Sequence, residues 1–147
     1  MTEADTALLQ HVPEPIRDSC SPGAAVTPAI ASLDCFTDLE TGIFVYYTSY
    51  PDLNSMNTAY QSYVLVYGNN PGSKTCEKAD NWPAQGPWSV NESEEDAGQL
   101  LCSGFGDAPA MFWTDERLNI LSWSWGLTDV TRDDMWSFWT TDAGPIE

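Results

Sequence analysis

Ala110-Met111-Phe112-Trp113-Thr114-Asp115-Glu116-Arg117-Leu118-Asn119-Ile120-Leu121-Ser122-Trp123-Ser124-Trp125 is the stretch on which the fold turns. It reads as two strands, residues 110–114 and 118–125, joined so tightly through Asp115-Glu116 that a hairpin is predicted. Strand alternation sends Leu121, Trp123 and Trp125 to one face of the second strand and Leu118 and Ile120 to the other. With apolar side chains on both faces, one face covers the core and the other is either covered in turn or left adhesive.

Working outward, residues 99–105 supply a third strand, and residues 31–36 and 43–50 two more, the last dense in β-branched and aromatic side chains. A first helix is predicted over residues 6–12, with Leu8, Leu9 and Val12 on one face. Pro13 and Pro15 end it, and Ile16 adds a last apolar contact. A second helix opens at Pro51-Asp52 with Asp52 as N-cap. Its stripe runs Met56, Ala59, Tyr60, Tyr63 and Tyr67, and Gly68-Asn69-Asn70-Pro71-Gly72 stops it. Thr131-Arg132-Asp133-Asp134 resembles a capping box with Asp in place of Glu. The helix it starts carries Met135, Trp136, Phe138 and Trp139 and ends at Gly144-Pro145. Residues 21–28 read as a Pro/Gly loop, and residues 69–97 as a long irregular surface excursion pinned at Cys76.

The predicted order is α-β-β-α-β-β-β-α. This is an α+β fold: an antiparallel sheet of about five strands with helices packed on one face. A single domain over residues 7–146 is expected behind a flexible N-terminus, residues 1–6. No period recurs strongly enough to be a repeat.

The 147 residues include five Lys and Arg against 22 Asp and Glu, a net charge of −17. Such a chain lacks the basic stripe that phosphate neutralisation requires, so no nucleic-acid partner is expected. Anionic membrane surfaces are disfavoured for the same reason. No apolar run approaches the ~20 residues of a membrane-spanning helix, so no membrane insertion is expected within this chain. The acidic opening Met1-Thr2-Glu3-Ala4-Asp5 is not a secretory signal, which leaves a cytosolic protein or a piece of a longer exported one.

Cys20, Cys35, Cys76 and Cys102 contain no close ligand pair, and His11 is the only histidine, so zinc is not expected. Four cysteines allow three connectivities. Nearest-neighbour pairing, Cys20 to Cys35 and Cys76 to Cys102, would close two modest loops, the shorter worth ~3 kcal/mol on the chain-entropy model. Four separate buried thiols are the alternative. Disulfides are favoured because Cys20 sits beside a Ser-Pro-Gly turn, where a core thiol has little to pack on, and bridges imply an oxidising compartment.

Seven Trp, six Tyr and five Phe suggest an aromatic platform built from Trp123 and Trp125, with Trp82 and Trp88 from the long loop. Such a platform suits sugar rings or a partner's apolar patch, whereas the bland alternative is packing under the helices. The acidic run Glu92, Glu94, Glu95, Asp96 lacks a calcium-loop order and reads as solvated charge. Asp115-Glu116 and Asp133-Asp134 are explained by their turn and cap positions rather than as a glycosidase pair. His11 has no nucleophile elbow to serve, and Gly104-Phe105-Gly106 has no phosphate-loop sequel. Asn91-Glu92-Ser93 is a formal glycosylation sequon. No catalytic residue, metal site or cofactor is assigned.

Several blocks taken together resemble a bacterial extracellular family. They are Leu8-Leu9 through Pro13-Glu14-Pro15-Ile16 to Cys20, Ala31-Ser32-Leu33-Asp34-Cys35, Val45-Tyr46-Tyr47, Met56-Asn57-Thr58-Ala59-Tyr60, Gly98-Gln99-Leu100-Leu101-Cys102 and Trp113 to Leu121. A Trp136-to-Trp139 helix before Gly144-Pro145 follows them. The chain is similar over roughly residues 7–146 to the sensor-like domain found outside the membrane in actinobacterial and related secreted proteins and serine/threonine protein kinases. The resemblance implies an exported location, two disulfides and a sensory or binding role, but carries over no ligand-binding or catalytic residue. Ser122-Trp123-Ser124-Trp125-Gly126 departs from the family's aliphatic continuation, so binding on that strand would be this protein's own.

The expectation is therefore a non-catalytic extracellular or cell-surface domain without its signal or membrane anchor. Its ligand would be a glycan, a small molecule or a protein. The alternatives are an acidic cytosolic inhibitor or nucleic-acid mimic that occupies a basic partner and, third, a carbohydrate-active enzyme.

Overall fold

The computed structural model describes residues 1–36, 42–67, 76, 82–89, 96–105, 108–127 and 129–143. Along the chain run α1 (Glu3–Leu9), α2 (Glu14–Arg17), β1 (Cys20–Pro22), β2 (Ala31–Phe36), β3 (Ile43–Ser49), α3 (Leu53–Tyr67), β4 (Ala84–Ser89), β5 (Asp96–Phe105), β6 (Ala108–Asp115), β7 (Ile120–Gly126) and α4 (Arg132–Phe138). A π-helical turn, Trp139–Ala143, follows α4. The fold is α+β, with one seven-stranded antiparallel sheet in the order β1-β2-β3-β7-β6-β5-β4.

Local chemistry explains most boundaries. Asp52 accepts the Ser55 N–H at 2.7 Å and starts α3, whose Met56 and Tyr60 are buried. Thr131 and Asp134 form the reciprocal capping box of α4, each side chain accepting the other's backbone N–H at 3.0 Å. The β6–β7 turn closes around Asp115, which accepts from the Arg117 backbone N–H and from its guanidinium at 3.0 Å and 2.6 Å. Asn119 completes that turn at φ 56°, a left-handed conformation that Asn tolerates better than most side chains.

Several expectations need correcting. The sheet has seven strands rather than about five, because β1 lies in the expected Pro/Gly loop and β4 in the expected irregular excursion. Both are edge strands carrying proline, Pro22 and Pro87, and an edge position tolerates a missing N–H. The element order is accordingly α-α-β-β-β-α-β-β-β-β-α. Helices also cover both faces rather than one: α1, α2 and α4 gather on one side with Leu33, Val45, Met111 and Trp113, and α3 lies on the other with Leu101, Phe112 and Leu121.

The first helix begins at Glu3 rather than Thr6, since Thr2 and Asp5 form a capping box like that of α4; residues 3–6, expected in a flexible tail, are helical. Of the expected excursion, residues 69–75, 77–81 and 90–95 lie outside the described residues, as do the stop at Gly68–Gly72, the sequon at Asn91, and Glu92, Glu94 and Glu95. Gly144-Pro145 also lies outside them.

The bridges are Cys20–Cys35 and Cys76–Cys102. Cys20 and Cys35 face each other in the β1–β2 register, so the first bridge clasps the edge strand to the sheet. The second ties residue 76 to β5. Gly98 permits the close crossing of β5 on β6: a Cβ there would lie 1.9 Å from the Thr114 carbonyl oxygen.

Candidate functional site, an aromatic face on the sheet

Strand alternation on β3 sends Ile43, Val45 and Tyr47 into the core under α1, α2 and α4, and leaves Phe44, Tyr46 and Thr48 partly exposed opposite. On β2 it buries Leu33 and Cys35 and turns Asp34 and Phe36 outward. Register then aligns two rows across the sheet. One runs Phe36, Phe44, Trp125, Ala110; the other runs Asp34, Tyr46, Trp123, Phe112, Leu101.

The rings of these rows are in contact. Phe44 stacks on Trp125 at 4.5 Å, Tyr46 on Trp123 at 4.3 Å, and Phe36 meets Phe44 edge-on at 4.3 Å. Trp123 continues in near-parallel planes to Phe112 at 6.0 Å, and Phe112 meets Tyr63 and Tyr67 of α3 at 4.8 Å and 5.2 Å. Helix α3 packs chiefly on β5, β6 and β7, so the β2–β3 side of the rows keeps its contact with water. Phe36 is 49% exposed, and Phe44, Tyr46, Trp123 and Trp125 are intermediate.

β7 inverts the usual polarity of a half-buried strand. Ser122 and Ser124 are fully buried against the core, while the much larger Trp123 and Trp125 face outward. The inversion runs against stability. Ser122 Oγ has no hydrogen-bond partner among the described residues, an omission worth about 1–3 kcal/mol, and Ser124 Oγ has only the Met135 thioether at 3.3 Å. Small inward side chains let α4 approach the sheet, but they do not explain two tryptophans on the wet side. A partly exposed cluster of large rings is the kind of feature that marks a contact surface.

Of the four rings expected to bind ligand, the structure brings Trp123 and Trp125 together on this face. Trp82 and Trp88 are placed elsewhere, in the opposite core, each 6% exposed. Their indole N–H groups are used internally: Trp82 donates to the Cys76 carbonyl and Trp88 to the Thr114 carbonyl, both at 2.7 Å. The Arg117 guanidinium lies 5.8 Å from the Trp88 ring centre. Sequence reasoning missed Phe36, Phe44, Tyr46 and Asp34. The signal was the alternation in residues 43–47, where Phe44 and Tyr46 have the opposite parity to Ile43, Val45 and Tyr47.

Elsewhere the titratable groups serve the fold. Asp5, Asp52 and Asp134 are held below the ordinary carboxylate range by backbone N–H donors at helix starts. Burial pushes the Tyr47 and Tyr60 hydroxyls up, keeping both neutral. Asp115 is engaged by Arg117 in the turn, and Asp134 by the α4 cap, so neither acidic pair is arranged as a general acid and base. Among the described residues no group of three or more His, Cys, Asp or Glu could hold a metal ion, and no helix is long and apolar enough to cross a membrane. In comparison with known proteins, the chain matches no family model, no curated protein and no solved structure.

Proposed function

We propose that this chain is a non-catalytic extracellular domain, sensory or ligand-binding, that engages its ligand through the aromatic face of β2, β3 and β7. The observation that carries this reading is the inverted polarity of β7, with serines buried and tryptophans partly exposed on the opposite face. Two disulfides favour an oxidising compartment and weigh against a cytosolic acidic inhibitor. Membership of the sensor-like domains of bacterial secreted proteins and membrane-anchored serine/threonine kinases remains part of the proposal, resting on the sequence blocks quoted above. In such an architecture, occupancy of the face would bias a neighbouring chain.

The test is a binding screen of the intact protein against glycans, cell-wall fragments and peptides, read by calorimetry, with Trp125→Ala and Phe36→Ala as comparison proteins. Binding that both substitutions weaken supports the aromatic face as the site. Ligands bound equally well by all three proteins would remove this face from consideration.

A further inference from the structure

The ligand class follows from how the rings stand. Two rings lying side by side in the plane of the sheet cannot bring their centres within 4.5 Å without overlap. Yet Phe44 and Trp125 are 4.5 Å apart with planes 13° from parallel, and Tyr46 and Trp123 are 4.3 Å apart at 14°. The second row continues from β3 through β7 to β6 in near-parallel planes, so the stacking axis runs across the strands. The rings therefore stand upright, and those of Phe44, Tyr46, Trp123 and Trp125 turn an edge partly to water, while Phe112 is buried under α3. A saccharide stacks its C–H groups on a broad ring face turned to water; here the inner faces meet neighbouring rings, and the outer faces of Tyr46 and Trp125 look sideways along the sheet toward Asp34 and buried Ala110.

What the surface offers instead is two apolar ridges, two residues apart along each strand, or about 6.6 Å. Among the described residues the electrostatic surroundings of this face are one-sided. Asp34 ends the second row beside Tyr46, on a chain of net charge −17. All three described arginines belong elsewhere: Arg17 donates to the Val12 and Gln10 carbonyls by α2, Arg117 serves the β6–β7 turn over Trp88, and Arg132 lies in α4. A second copy of this chain would bring −17 against −17, which disfavours self-association.

Resting on the proposal that this face is the ligand site, we infer that its ligand is a polypeptide segment in which Lys or Arg alternates with aliphatic side chains, rather than a glycan. Aliphatic groups pack on the apolar ring edges, and the positive charges complement Asp34 and the field of the domain.

The experiment is calorimetric titration of the intact protein with a short synthetic peptide of Lys-Leu repeats, with its Glu-Leu counterpart, and with chitohexaose. The basic peptide is expected to bind, the acidic one not to, and raising NaCl from about 50 to about 500 mM should weaken binding at least about tenfold. Trp125→Ala keeps the net charge at −17, so a further loss of about tenfold on that substitution reads the rings and not the charge. Phe36→Ala, at a half-exposed position, gives the same readout should Trp125→Ala fail to fold. Asp34→Asn should weaken the peptide about threefold.

Equal peptide binding by wild type, Trp125→Ala and Phe36→Ala would mean that charge alone attracts it, and would overturn the inference. Chitohexaose bound in a Trp125-dependent manner, with no such dependence for the peptide, would overturn the ligand class while leaving the aromatic site standing. No Trp125- or Phe36-dependent binding of either probe would overturn the inference, and if the wider screen also showed none, the proposed site would fall with it.

Discussion

The two faces of the sheet carry similar side chains to opposite ends. Under α1, α2 and α4, the rings of Tyr47, Trp113 and Trp139 are buried, with Tyr47–Trp113 and Trp113–Trp139 meeting edge to face at 6.3 Å and 6.2 Å. On the α3 side, Phe44, Tyr46, Trp123 and Trp125 stack face to face across strands and remain partly wet. Three helical elements close the first face, whereas a single helix covers only the β5–β7 part of the second. Aromatic content therefore says little by itself about function. The helix cover decides whether a ring is core or contact surface.

The sharpest way to break this comparison is to truncate one tryptophan on each face. Trp113→Ala, at 1% exposure, should cost about 3–5 kcal/mol in denaturant unfolding, a large share of a typical domain's stability. Trp125→Ala should cost less, the stacked contact of about 0.5–1.5 kcal/mol plus the smaller area that this partly exposed ring buries. Equal losses would mean that the open face is structural core after all.

The bridges extend the contrast to the edges of the sheet. Replacing Cys76 and Cys102 together by Ala frees a loop with a sequence separation of 26 and should cost about 3.5 kcal/mol, while the Cys20 and Cys35 pair, with a separation of 15, should cost about 3 kcal/mol. Unfolding curves of the two double variants would check this, and a loss confined to one of them would show that only one edge needs its clasp.

A smaller effect belongs to the helices of the closed face. Thr131→Ala removes the α4 cap and should lower stability by about 1 kcal/mol, without changing peptide titrations on the open face. Altered binding in that variant would reveal coupling between the two sides of the sheet.

The last prediction concerns acid. Asp5, Asp52 and Asp134 accept backbone N–H bonds, which lower their carboxyl pKa values in the folded state below the ordinary 3.8. Lowered folded-state values mean that this stabilisation is fully present above the ordinary carboxylate range and is lost as pH falls from there through the folded values. Asp5→Asn and Asp134→Asn should therefore narrow the gap between wild type and variant when unfolding is repeated at about pH 3 instead of about pH 6. An unchanged gap would show that the caps do not titrate with folding.

Where signals are local, the sequence carried them. Residues 31–36 form the predicted strand, and Asp52 and Thr131 cap helices with the side-chain bonds their residue types favour. The same Thr-x-x-Asp pattern stood at Thr2 and Asp5, so the earlier start of α1 was legible too. β1 and β4 were not legible, because three residues ending in Pro22, or Ala84-Gln85-Gly86-Pro87-Trp88-Ser89, have little strand preference of their own; pairing with β2 and β5 makes them strands. Half of the candidate site was readable from the parity of Trp123 and Trp125. Trp82 and Trp88 misled because burial of a ring depends on what folds over it.

By itself the sequence determined the acidic charge, the hairpin around Asp115, the stripe of α3, and the two-faced character of residues 118–125, since each follows from composition or from period along a short segment. Only the tertiary structure decided which face α3 would cover, how Phe36, Phe44 and Trp125 would align in one row, and that the rings would stand on edge. Those outcomes depend on register between strands distant in sequence and on the spacing of neighbouring backbones, which no single segment encodes.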